Sequence, residues 1–363
     1  MAEPPSQLPA DVPHLYGQEN QLEQVVETLT CGPWSAPRLA FVVGAPASGK
    51  SVFAVHAGHR LRKSFPDGQL YAALTGPDGT PADPSRVMAG FLAAIGVPAD
   101  RIPVAAEERI QLFRSWTANR RVLVVLDDVT DVHQLIAFQP SGAGCGTIAT
   151  GRRRIADTSI SLTTSLDRLS PAASTALLTQ ALGNQRVSIE RAALGELVRR
   201  CDGLPGALRS VASCLQMRPH WSLREYLDMA DGEPRRLRAN IESALGASLD
   251  RTARIMPQES WAAFRTLAAN AAGPISPLAA AMILNCDEIT AEALLEDLVV
   301  FQLAEIEDIA EGTGACRFRY QLRLPLRLAT RLLDPAEPEP PDLAVAQPAL
   351  VGAFPQPRPR TCA

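Results

Sequence analysis

The chain has 363 residues, 46% of them hydrophobic and 5% aromatic, with a formal net charge of −4. This exceeds one typical domain and is apolar enough for two or three packed cores, while the small acidic excess argues against a dedicated nucleic-acid binder, which carries a basic surplus. Seven cysteines (31, 145, 201, 214, 286, 316, 362) form no C-x-x-C pair and read as reduced thiols; with no run of about 18 apolar residues to cross a bilayer and no signal-peptide pattern at the N-terminus, the expectation is a cytoplasmic protein with no membrane partner.

In chain order, residues 1–13 are Pro-rich and predict a flexible N-terminus. Leu22, Val25, Val26 and Leu29 then recur at helical spacing, and Cys31-Gly32-Pro33 stops that helix. Leu39 to Ser51 is an apolar run that ends in Gly44-Ala45-Pro46-Ala47-Ser48-Gly49-Lys50-Ser51 and continues through Val52 as a helix. This is the strand–GxxxxGK[ST]–helix spacing of a phosphate-binding loop. Its glycines let the backbone wrap an anion, and its N–H groups and the helix N-terminus face that anion. Lys50 is placed for the β- and γ-phosphates and Ser51 for Mg²⁺. The chain has only two lysines, Lys50 and Lys63, so a chance match is roughly one in a thousand.

Farther on, Gln69 to Leu74 predicts a strand. Asp83-Pro84 supplies an N-cap and first-turn proline for a helix, and a second helix spans about 105–119. Arg121 leads a continuous apolar strand ending in Asp127-Asp128, and Thr147 to Arg152 reads as another buried strand. Apolar strands alternating with helices predict a parallel sheet covered on both faces. From Ser170 to about Asp231 only helical patterns occur, including a capping box at Ser222 and Glu225. Three or four further helices lead to two strand-like segments, 302–308 and 315–322, joined around Gly312-Thr313-Gly314. The tail beyond Asp334 has eight prolines in 29 residues and predicts a disordered segment.

A phosphate-binding loop needs an acid to complete a magnesium site. Asp127 is placed to hold Mg²⁺, and Asp128 to polarise an attacking water; the alternative is two acids capping a strand. Together these segments resemble the NB-ARC signal-transduction ATPases of the STAND class, in the form found in actinobacterial antibiotic-pathway regulators. The resemblance spans about 14–334 and rests on LYGQENQL, GAPASGKS, FPDGQLYAAL, VLVVLDDV, TIATGRRR, CDGLPGAL and RFRYQLRLPLRLATRLL. It implies an α/β P-loop NTPase domain (14–168), an all-α helical lid (169–235) and a winged-helix domain (240–334), followed by the Pro-rich tail (335–363), closing around ATP or ADP with Mg²⁺. It further implies self-association in the ATP state and an effector protein as partner. By position, Thr150 and Arg152 resemble the strand that reads the γ-phosphate, Pro205 the contact of the helical lid with the nucleotide, and Gly17 the adenine-side segment. Taken alone, Arg152 to Arg154 also reads as a solvated basic turn, and His56 and His59 as polar helix-face residues rather than metal ligands.

Five positions depart from the family pattern. Gln18 stands for an arginine, Gly151 for a serine or threonine, and Gly206 for a leucine. Arg323-Leu324 stands where His-Asp senses ADP, which predicts a loosened ADP lock because leucine has no acceptor. The leading function is an ADP/ATP-dependent switch with slow hydrolysis in signalling or transcriptional regulation. Two alternatives are a winged-helix transcriptional regulator that binds DNA and a non-hydrolysing nucleotide-bound scaffold.

Overall fold

The computed structural model describes residues 3–32, 35–76, 79–232, 234–271, 273–308 and 318–323, with backbone alone over 230–244. The first part alternates strands and helices: α1 (Glu19–Thr30), β1 (Arg38–Gly44), α2 (Lys50–Leu61), β2 (Gln69–Ala73), α3 (Pro84–Ala94), α4 (Ala106–Thr117), β3 (Leu123–Val129), α5 (Val132–Ala137), β4 (Gly146–Gly151) and β5 (Leu162–Leu166). The strands form one sheet in the order β2-β3-β4-β1-β5, every neighbouring pair parallel.

The apolar runs bury both faces of the sheet because side chains alternate along a strand. Leu39, Phe41, Val43, Val124 and Leu126 join Phe91, Leu92 and Phe113 of α3 and α4 in one core. Ala40, Val42, Leu123 and Val125 join Val25, Leu29, Phe53, Ala57 and Leu61 of α1 and α2 in the other. Two elements escape sequence reading. β5 is a Leu-Thr-Thr-Ser-Leu edge strand, less buried than β1, β3 or β4, so it lacks the apolar run that marked those three. The six-residue α5 is too short to show a helical period.

Residues 3–13, expected to be flexible, instead run along the sheet edge and α2. Gln69 N–H donates to Pro5 O (2.7 Å), and Gln7 N–H donates to Gln69 O (2.9 Å), so this segment covers the outer edge of β2. Leu8 packs against Gly58, where an added Cβ would meet its methyls at 3.1 Å. His56 pairs with Asp11 (2.9 Å) and His59 with the carbonyl of Pro9 (2.8 Å), which gives both histidines polar partners. The physical reason is edge protection: a row of unpaired backbone groups is satisfied by a passing chain.

The remaining helices are α6 (Pro171–Leu182), α7 (Asn184–Ile189), α8 (Arg191–Cys201), α9 (Pro205–Gln216), α10 (Leu223–Gly232), α11 (Pro234–Ile255), α12 (Gln258–Asn270), α13 (Pro277–Leu284) and α14 (Glu288–Val300); the antiparallel strands β6 (Ala304–Asp308) and β7 (Phe318–Leu322) follow. The Ser222–Glu225 capping box forms, with reciprocal bonds of 2.7 and 3.0 Å. One continuous apolar cluster links α6, α8 and α9 through Leu245 and Leu249 of α11 to Phe264, Leu295, Leu298 and Tyr320. α11 runs across the interval 236–239 expected to divide two domains. The Gly312-Thr313-Gly314 turn, Leu324 and the tail 335–363 lie outside the described residues.

Removing the segment through Asp11 should lower unfolding stability by about 1–3 kcal/mol, from two backbone hydrogen bonds and the Leu8 contact. Urea melts of the shortened and full chains would measure this, and equal midpoints would contradict the edge-protecting role.

Candidate nucleotide-binding site

The parallel order brings the carboxyl ends of β1, β3 and β4 to one edge, where ligand crevices form in such sheets. β1 ends in Gly44. A Cβ there would lie 2.7 Å from Ser48 Oγ and 2.8 Å from Leu166 O, so only glycine lets the loop fold back this closely. Ala47 and Gly49 take positive φ (62° and 90°), and α2 begins at Lys50. Its first N–H groups have no partner within the helix. Ser48 Oγ is buried with no hydrogen-bond partner.

Lys50 is buried, and its amine donates to the loop's own carbonyls at Gly44 and Ala45, both at 2.9 Å. Burial, and next the charge of Arg152, pull its pKa down to about 7, against the opposing pull of Asp128 and Asp127. An anion in the loop would supply the charge that burial denies it.

At the end of β3, Asp128 adopts φ 64° where the β3–β4 register shifts between Leu126 and Val129. That kink gives the two acids different surroundings. Asp127 accepts from Thr150 Oγ1 (2.6 Å) and lies 3.4 Å from the Tyr71 hydroxyl. Burial, and next the Asp127 charge, push the Tyr71 phenol up to about 12. Asp128 receives Arg152: Nη2 donates to Oδ2 at 3.0 Å, and Nε stands 2.7 Å from Oδ1. Thr150 Oγ1 also accepts from Asp128 N–H (2.9 Å), locking the kink. The other side of the guanidinium reaches α11, where Nη1 donates to Ser248 O (2.9 Å) and Oγ (3.1 Å). Arg152 is therefore a buried connector, not a solvated turn residue.

These elements enclose a cavity of about 270 Å³. Of the sequence-predicted residues it takes in Ala47, Ser48, Gly49, Lys50, Ser51, Val52, Asp128, Thr150, Arg152 and Pro205. Gly44, Ala45, Pro46, Asp127 and Gly17 stand behind the lining; Gly17 packs on Ala173 at positive φ while Tyr16 and Gln18 line the wall. Sequence reading missed His14, Leu15, Tyr16, Leu169, Leu177, Arg209, Ser248 and Arg251. Arg209 was findable, one helical turn after Pro205 in α9; Ser248 and Arg251 had no local signal.

Two of the glycine departures have steric causes. A Cβ at Gly151 would stand 2.5 Å from Phe41 Cζ, so the buried ring of β1 fills the space of a serine or threonine side chain. At Gly206 a Cβ would stand 2.5 Å from Ala47 Cβ, and Gly206 N–H donates to Ala47 O at 2.9 Å. The loop and α9 thus meet backbone to backbone. Gln18 Nε2 donates to Ser48 O (3.3 Å), an amide holding the loop where a cation was expected. Arg323 is buried outside the lining and paired with Glu305 (2.6 Å); burial lowers its pKa.

The residues fit a nucleotide with Mg²⁺: the glycine-permitted cradle, the orphaned Ser48 hydroxyl and a lysine whose hydrogen bonds go to its own loop suit a phosphate group, and the Ser51 hydroxyl and Asp127 carboxylate are hard oxygen donors of the kind Mg²⁺ takes. No group of three or more His, Cys, Asp or Glu that could hold a metal occurs among the described residues.

Fold and loop together define an α/β P-loop NTPase domain. The chain is similar to regulatory protein AfsR of Streptomyces griseus, 33% identical over 347 residues, covering 93% of this chain and 34% of that one. AfsR of Streptomyces coelicolor is 34% identical over 335 residues, covering 88% and 32% respectively. The chain spans about a third of the length of these curated relatives. Among solved structures, a Walker-type ATPase of Pyrococcus abyssi superposes with a TM-score of 0.59 at 13% identity, covering 87% of this chain and 95% of that one, a likeness of fold. No protein-family model matches the chain. Among the described residues no helix is long and apolar enough to cross a membrane.

Gly151→Ser should destabilise the protein by about 1–3 kcal/mol through overpacking, and Phe41→Leu added to it should recover part of the loss. Thermal melts of the single and double variants check the pair; additive losses would show that Phe41 is not what excludes the serine.

Proposed function

We propose that this chain is an adenine-nucleotide switch of the NB-ARC type, in which the cavity holds ATP or ADP and couples the P-loop domain (14–168) to a helical lid (169–235) and a winged helix (240–334). The observation that carries this reading is the convergence of the loop, β3, β4, α9 and α11 on one cavity. A ligand there touches both the sheet and the helices whose relative placement would be switched. The order of helices followed by an antiparallel pair, β6 and β7, supports the winged-helix assignment. The regulatory name of the AfsR relatives supports a role in regulation; the NB-ARC resemblance adds a cytoplasmic switch in signalling or transcription, with an effector protein and self-association in the ATP state as its partners.

In this reading the loop amides and Lys50 bind phosphate, Ser51 and Asp127 hold Mg²⁺, and Asp128 orients water. Mg²⁺ would neutralise phosphate charge. Asp128 is engaged by Arg152, and Arg152 by Ser248. Hydrolysis would require that pair to part, which accounts for a slow ATPase. The same pairing favours the second reading, a nucleotide-bound scaffold that does not hydrolyse; single-turnover ATP hydrolysis separates the two.

Lys50→Ala should abolish tight ATP and ADP binding while leaving the melting profile nearly unchanged, because the amine serves no apolar core. Titration calorimetry checks this, and unaltered affinity would remove the loop from the site. Asp127→Asn should weaken Mg²⁺-dependent ATP binding about tenfold, the scale of one charge-assisted contact. Asp128→Asn should act mainly on turnover. Identical behaviour of the two variants in binding and hydrolysis assays would contradict the division of roles.

A further inference from the structure

Among the cations of the cavity, Lys50 and Arg152 have partners: the loop carbonyls for one, Asp128 and Ser248 for the other. Arg251 also lines the wall, yet its Nε is buried without a hydrogen-bond partner. The acid beside it in α11 and the acid in the cavity wall are taken. Asp250 pairs with Arg254 at 3.2 Å, and Asp128 with Arg152 at 2.7 Å. The Arg251 stem is positioned by the turn after β2, where a Cβ on Gly79 would press on its Cγ at 3.0 Å. Burying a guanidinium nitrogen without an acceptor is costly. An anion in the cavity would supply the missing acceptor.

Its place in the cavity says which part of the anion. Arg251 lies three residues after Ser248 on the same face of α11, and Ser248 holds Arg152 against Asp128 at the end of β3. Lys50 of the phosphate loop feels the charges of both Arg152 and Asp128, so this part of the wall belongs with the loop's phosphate side. We propose that Arg251 is a phosphate-binding residue that recognises the terminal phosphate of a nucleoside triphosphate, so that α11 senses the third phosphate directly. This rests on the nucleotide-binding reading of the cavity. Guanidinium suits the role because its planar fork can donate two hydrogen bonds to one phosphate. Contact from α11 would also compete for the position in which Ser248 holds Arg152, linking triphosphate binding to release of Asp128.

The test uses the full chain with ADP and a non-hydrolysable ATP analogue, each with Mg²⁺, in titration calorimetry. Arg251→Gln keeps most of the stem on Gly79 and removes the charge; it should weaken the ATP analogue about tenfold and ADP less than about threefold. Arg251→Lys should recover part of the analogue's affinity as a point charge. A thermal melt of each variant identifies any loss of fold, in which case the ratio of analogue to ADP affinity in Arg251→Lys decides, a lowered ratio supporting the proposal. Wild-type affinity in Arg251→Gln, or equal loss for both nucleotides, would overturn the terminal-phosphate role while leaving the nucleotide site standing. Failure of the unaltered chain to bind either nucleotide would overturn the site and this inference together.

Discussion

The guanidinium of Arg152 joins three parts of the molecule that no local interaction could join. One side meets the Asp128 carboxylate at 2.7 Å and the other meets Ser248 of α11. All three groups are buried, so truncating either side chain of the ion pair would leave its partner stranded at a cost of about 3–5 kcal/mol. The sheet edge and the helical section are therefore bound to one orientation while the pair holds. That constraint also holds the water-orienting candidate of the site in an ion pair, so shape and chemistry depend on the same contact.

A second junction lies at the other wall. Gly206 N–H bonds to Ala47 O, and Ala45 of the loop belongs to the apolar cluster of the helices rather than to either core of the sheet. The phosphate loop, which continues from β1, is thus packed into the helical cluster. A ligand that reshapes the loop would act on the first turn of α9 without intermediate steps. Burial of Lys50 adds to this, since desolvation lowers its pKa and an incoming anion would favour its charged form.

Gly151 and Gly206, where the sequence departs from the pattern it resembles, both lie against neighbours that leave no room for a side chain. Phe41 occupies the space that a side chain at Gly151 would need, and Ala47 the space next to Gly206. In each case the neighbour fills the space that a side chain would take, which keeps packing dense. Gln18 follows the same logic with a hydrogen bond to the loop in place of a charge.

The sequence by itself determined the sheet core, the loop and its acids. Their signals are local: unbroken apolar runs, glycines at fixed spacing, and an N-cap directly before its helix, as at Asp83. It did not show β5, whose threonines and serine carry no apolar run, nor the path of residues 3–13, whose ordering depends on an open edge of β2. Tertiary structure alone decided that Asp127 and Asp128 face different partners, because a one-residue kink at φ 64° turns adjacent carboxylates apart. It alone brought Ser248 and Arg251 to the cavity, since the contact between residues 152 and 248 spans 96 positions. Local pattern reaches only as far as the next turn or strand; the meeting of distant polar faces is settled by how the apolar ones pack.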